Sequence, residues 1–204
     1  MLTLLIIAIT AIISATSFNK REIFHKLLFN PYQIYHRKEW YRFVTHGFVH
    51  ADWMHLIVNM MVLFFFGDHV NKYFEHFLGI KGILFFILLY IGGIAFAVLP
   101  SYKKHRDNYL YNGVGASGAV SAILFSAIVF DPASKICLYG VLCFPGILWG
   151  IFYLAYEYYM GKKSNDNINH DAHFWGALFG VVFTIITVPD SVLLFYNRLL
   201  TLFQ

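Results

Sequence analysis

Apolar runs of bilayer length, separated by short polar breaks, recur along this sequence and constrain its fold more than any other feature. A helix needs about 20 such residues to cross the hydrocarbon core. Gly82–Leu99 alone would rise about 27 Å along its axis. Six spans can be drawn: Met1–Thr16, Trp53–Phe66 with an extension toward Tyr73, Gly82–Leu99, Ala116–Phe130, Ile136–Tyr156 and Ala172–Val188. Asp131-Pro132 stops the fourth and Pro189 the sixth. Charged residues make up only 13% of the chain, about half the share in soluble domains, so a soluble fold is excluded. The expected architecture is all-α: one polytopic membrane domain over residues 1–204, a six-helix bundle.

The first span has the length of a signal peptide, but no positive charge precedes its apolar core, so a retained helix is expected. Residues 17–52 form a long connection too aromatic for a disordered linker. Its Trp and Tyr suit the membrane–water boundary, which predicts a structured interfacial loop. Residues 190–204 read as a short C-terminal tail. The net charge of +4 comes from Lys and Arg placed between apolar runs, with no dense basic patch. Nucleic acid is therefore not an expected partner, and the lipid bilayer is. Cys137 and Cys143 read as small core residues.

Polar and ionisable groups inside spans are costly, which makes them functional candidates. His55 and Asn59 begin the second span, Ser117 the fourth, and His170 and His173 the sixth. In an alternating path these three starts face one side, so the groups can meet at one depth. Ser117 sits in GVGASGAV (113–120) at a helix start, where free backbone N–H groups and the helix dipole favour a developing anion. Small residues of this kind also serve simple helix packing. A soluble G-x-S-x-G elbow does not fit, because Ala119 replaces the last glycine. A nucleophilic serine needs a base, and His173 is the candidate. Gly176 and Gly180 share its helical stripe and permit close approach to a neighbouring helix. His55 and Asn59, four apart, share a face and can donate to an oxyanion. The ten histidines raise a metal or haem alternative, but no HExxH or zinc-type Cys/His spacing occurs. No cofactor and no metal are expected.

Together these residues resemble the rhomboid family of intramembrane serine proteases. GASGA (115–119) is similar to the family's G-x-S-G motif, AHFWGALFG (172–180) to its A-H-x-x-G-x-x-x-G pattern, and HADWMHLIVN (50–59) to its H-x(4)-H-x(3)-N pattern. The segment WYRFVTHGFVH, with Arg42, resembles the family's approach to the second helix. The resemblance implies Ser117 as nucleophile, His173 as base, and His55, Asn59 and the Ser117 N–H as oxyanion donors. His50 would be structural, and Gly115, Gly118, Gly176 and Gly180 would support the site. Two positions depart from the family pattern: Ser121 stands where many members have a tyrosine against the imidazole, and Asn71 where many have a glutamate, with Glu75 one turn on.

The implied activity is hydrolysis of peptide bonds in or near transmembrane segments by a serine–histidine dyad without an acidic third member. Single-span membrane proteins would be the substrates, admitted by movement of the fifth span, whose Trp149, Phe152 and Tyr153 are the expected gate. The alternative is a non-catalytic rhomboid-like membrane chaperone that binds client helices. The resemblance also implies a multi-pass protein of the cell (inner) membrane with cytoplasmic termini. Charge opposes that orientation. Eleven of the fifteen Lys and Arg lie in the three connections on the side away from the termini, and basic loops ordinarily stay in the cytoplasm. Long structured loops obey the charge rule poorly, so the family's arrangement is the expected one.

Overall fold

The computed structural model describes residues 1–138, 141–163, 166 and 168–203. Helices dominate: α1 (Leu2–Asn19), α2 (Arg21–Leu27), α3 (Pro31–Arg37), α4 (Arg42–Thr45), α5 (Trp53–Leu78), α6 (Lys81–Ala97), α7 (Leu99–His105), α8 (Ser117–Phe130), α9 (Gly146–Lys163), α10 (His170–Thr187) and α11 (Asp190–Leu200). Two strands, β1 (Lys135–Leu138) and β2 (Leu142–Pro145), pair antiparallel between α8 and α9.

Each expected span has its helix, but two expectations change. The fifth span is expected from Ile136; the structure spends 135–145 on a hairpin, with Ile136 opposite Phe144, and starts α9 at Gly146. Residues 139 and 140 of that stretch, and 164, 165 and 167 of the expected connection 161–169, lie outside the described residues. The C-terminal tail is the helix α11 followed by a 3₁₀ turn, Thr201–Phe203. It turns 112° from α10 at Val188-Pro189, where proline cannot continue the helix.

Cys137 and Cys143 are not core residues. They are exposed and directly opposite in the hairpin register, and a disulfide joins them. Register brings the sulfurs together, and a spacing of six does not reveal it.

By length and composition, three helical segments suffice to cross a membrane: α1, α5, and α6 continued through α7 to His105. The bent pair α10 and α11 makes a fourth if counted as one span. The chain's apolar exterior fits a lipid solvent. On α1, Leu4, Leu5, Ile9 and Ile12 are exposed, while the buried residues are Thr3, Thr10, Ser14 and Ser17. Small hydroxyl residues inside and Leu/Ile outside is how helices pack in hydrocarbon, where apolar side chains gain nothing by leaving lipid. Thr3 meets α5 at Gly67, where an added Cβ would lie 2.7 Å from the threonine methyl.

At the centre stands α8. Eleven of its fourteen residues are buried, walled by α5, α6 and α10. At 1.5 Å per residue it rises only about 21 Å, short of the ~30 Å hydrocarbon thickness. Neighbouring protein, not lipid, satisfies the irregular chain that leads into it.

Candidate active site

The backbone before Ser117 is held by the long connection. Arg42, buried, donates from Nη1 to the carbonyls of His25 (2.9 Å) and Leu28 (2.8 Å) and from Nε to Glu39 (2.6 Å). Phe29 and Gly113 exchange two backbone hydrogen bonds of 2.9 Å, which ties the connection to the segment approaching α8. Asn30 caps α3 and reaches the Tyr109 carbonyl and the Asn112 side chain, each at 3.0 Å. Gly115 N–H then donates to the His46 carbonyl at 2.9 Å.

His50 completes this frame. Ser14 Oγ donates to the Phe48 carbonyl (2.9 Å), so it accepts from His50 Nδ1–H (2.9 Å), which leaves Nε2 to accept the Ala116 N–H (3.3 Å). One neutral tautomer satisfies all three contacts. Burial, reinforced by the nearby His55, pushes the His50 pKa down to about 3. Burial alone pushes His46 down to about 4, against its bond to the Arg42 carbonyl.

Gly115 has φ +110°, and a Cβ there would lie 2.5 Å from Cε1 and 2.7 Å from Nε2 of His55. Only glycine fits both the backbone and the ring beside it. Asp52 caps α5 by accepting from the His55 N–H at 2.8 Å, which fixes the first turn bearing that ring. Asn59 is buried and donates one amide hydrogen to the His55 carbonyl at 2.9 Å, so a second amide hydrogen remains for another acceptor.

On the other side, α10 presses its backbone onto α8. Methyls on Gly176 or Gly180 would overlap the carbonyls of Gly118 and Ala122. A Cβ on Gly118 would lie 3.7 Å from the Ala172 carbonyl. The residues adjoining Ser117 and His173 are thus neighbours across the helix pair. Among the described residues no hydrogen bond joins Ser117 to His173. Catalytic bonds are commonly long without substrate.

The imidazole has a different partner, and sequence reasoning missed it. His173 Nδ1 lies 3.1 Å from Glu157 Oε1 on α9, and the other carboxylate oxygen lies 2.6 Å from His170 Nδ1. His170 Nε2 in turn lies 3.2 Å from Asp166 Oδ2. An acid therefore stands against the expected base, where no acidic third member was anticipated. The signal was available, since a buried carboxylate within a membrane helix points to function, but YLAYEYYM is an aromatic run with no motif. The donor atoms of Glu157, His170 and His173 lie within 4.8 Å of one another, a spacing that also suits a metal ion.

Of the expected gate residues, Phe152 is 64% exposed on the outer face of α9. Trp149 donates to the Ile136 carbonyl of the hairpin at 2.8 Å, and the Tyr153 hydroxyl pairs with Ser121 at 2.7 Å. Serine at 121 thus has its hydroxyl bonded to α9. Asn71, the other departure, donates to Glu75 at 2.6 Å.

Residues 37–190 match the family described as Rhomboid domain. The chain is 30% identical over 154 residues to RHOMBOID-like protein 12, mitochondrial, of Arabidopsis thaliana, covering 68% of this chain and 44% of that relative. It is 31% identical over 165 residues to Rhomboid-like protein 11, chloroplastic, of the same plant, covering 73% and 53%. It is 27% identical over 188 residues to Rhomboid protease AarA of Providencia stuartii, covering 80% and 62%. The chain thus spans about half to three-fifths of the length of these relatives.

Proposed function

The chain belongs to the rhomboid family of membrane proteins, and on that premise we propose that it is a serine endopeptidase acting on peptide bonds of membrane-embedded substrates. Supporting this reading is the backbone contact of Gly176 with Gly118, which draws the helix turns bearing Ser117 and His173 together. With His173 Nδ1 engaged by Glu157, Nε2 is the nitrogen left to take a proton.

In the proposed reaction His173 Nε2 removes the Ser117 hydroxyl proton as Oγ bonds to the scissile carbonyl carbon. The carbonyl π electrons move to oxygen, and the Ser117 N–H, His55 and Asn59 receive that oxyanion; donors of this kind contribute ~3 kcal/mol each. Collapse breaks the C–N bond, and the imidazolium returns its proton to the leaving amine. Water then hydrolyses the acyl-serine by the same path. Substrates in this reading are single-span proteins whose helices unwind to expose one peptide bond, with the six helices α1, α5, α6, α8, α9 and α10 forming the bundle.

For orientation we infer that the site end faces the cytoplasm, the reverse of what the family resemblance implies. Eleven basic residues lie in the connections at the site end, and the Cys137–Cys143 disulfide closes the hairpin at the opposite end. Basic loops stay in the cytoplasm and disulfides persist outside it.

The deciding experiment reconstitutes the chain with a tagged single-span model substrate. Mass spectrometry should find a cut that wild type makes and Ser117→Ala does not. Equal recovery of intact substrate from both, with its helix bound, would assign a chaperone role instead.

A further inference from the structure

Glu157 is a buried carboxylate on a helix that otherwise buries only two glycines, Gly146 and Gly150. Each of its oxygens meets one imidazole: Oε2 that of His170, Oε1 that of His173. His170 is buried, with carboxylates at both ring nitrogens, Glu157 and Asp166. Two acceptors call for two N–H donors, and that form is the imidazolium. The row Asp166, His170, Glu157 thus alternates in charge and runs from the α9–α10 connection inward to His173. A lone buried carboxylate would be expensive, and the imidazolium compensates it.

We infer that Glu157 is the positioning residue for His173: its carboxylate, held from behind by His170, keeps the imidazole with Nδ1–H toward α9 and Nε2 toward Ser117. This rests on the protease reading above and extends it, because it adds an acid to the expected pair. Glu157 itself takes no proton. It orients the ring, selects the tautomer, and stabilises the imidazolium formed when Ser117 attacks, the role a third carboxylate plays in a serine triad. The arrangement also accounts for Ser121. The ring needs no tyrosine from α8 to hold it, because α9 holds it through the carboxylate.

The titratable groups around His173 are Glu157 on α9, His170 on α10 and His55 on α5, with Asp166 behind His170. Helix α8 contributes none, and His105 and Tyr111 face Asp171 instead.

The test compares wild type, Glu157→Gln, Glu157→Asp and Ser117→Ala as purified full chains in lipid micelles. Readouts are kcat and KM on a fluorogenic single-span peptide, Ser117 labelling by a fluorophosphonate, and thermal unfolding. Glu157→Gln should lower kcat about 10²-fold with KM nearly unchanged. Glu157→Asp should recover part of the loss. EDTA should leave wild type unaffected. Wild-type kcat in a folded Glu157→Gln would overturn the inference and leave the protease reading intact. So would activity lost to EDTA and restored by zinc, which would give these side chains to a metal. A wild type that neither cleaves nor labels would sink both.

Discussion

Gly176 of α10 rests directly on the Gly118 carbonyl of α8, with no room for a single methyl between them. Gly180 meets Ala122 one turn on and Thr184 donates to Ser126 beyond it, so the Gly176 contact sets how near the first turns of α8 and α10 come. Gly176→Ala should therefore cost about 1–3 kcal/mol by overpacking, seen as several degrees of thermal destabilisation in detergent. Fluorophosphonate labelling of Ser117 should fall further than the folded fraction, since His173 is displaced with its helix. Labelling at the wild-type rate would show that the helix spacing does not set the site.

Acid should loosen the frame under Ser117. His46 and His50 titrate near 6.5 in the unfolded chain, but burial lowers them to about 4 and about 3 in the folded one. The unfolded state then binds more protons below pH 6.5, so stability falls as pH drops through that window toward 4 and 3. Each histidine contributes a slope of up to about 1.4 kcal/mol per pH unit. Thermal unfolding between pH 7.5 and 5 measures it, and His50→Gln should flatten the curve. A melting temperature that does not change over that range would contradict the neutral tautomer read from Ser14 and Ala116.

Much of this was legible in the sequence because membrane helices advertise themselves by length. Breaking residues, Pro132 and Pro189, mark where two helices end. Alternation predicts that His55, Ser117 and His173 share one end of the bundle, and the close approaches at Gly115 and Gly118 lie beside those residues. Glu157 and the disulfide were not legible, for one shared reason. Both depend on which residues a tertiary contact or a strand register sets opposite each other, and neither Glu157 nor the two cysteines carries a local pattern. Helix α1 adds what hydropathy does not show: Thr3, Thr10, Ser14 and Ser17 are its buried face.

Helix α9 buries only Gly146, Gly150 and Glu157 and is tied to α10 through Glu157. Two of the expected gate residues are held by hydrogen bonds, Trp149 to the hairpin and Tyr153 to Ser121. Net hydrogen-bond contributions of about 0.5–1.5 kcal/mol make such latches weak enough to open. Tyr153→Phe and Trp149→Phe should each raise turnover of a transmembrane substrate severalfold, within the ~2–13-fold that one such bond represents. Phe152→Ala, on the lipid face, should change it least. Turnover that is unchanged in both latch variants would assign the gate elsewhere.

The proposed orientation, with the face away from the site outside the cytoplasm, draws on two features of unrelated origin. One is electrostatic: the connections at the site end carry Lys20, Arg21, Lys26, Arg37, Lys38, Arg42, Lys103, Lys104, Arg106, Lys162 and Lys163, against Lys72, Lys81, Lys135 and Arg198 at the other end. The other is redox: the exposed Cys137–Cys143 bond lies in the hairpin between the far ends of α8 and α9. In a reducing cytoplasm an exposed disulfide of this kind would open. In intact cells a maleimide should therefore leave both cysteines unmodified until a reductant is added, and a reporter fused after the last residue should read outside the cytoplasm. Thiols that react without reductant, together with a cytoplasmic reporter, would restore the arrangement that family resemblance implies and would leave the chemistry of Ser117 and His173 unaffected.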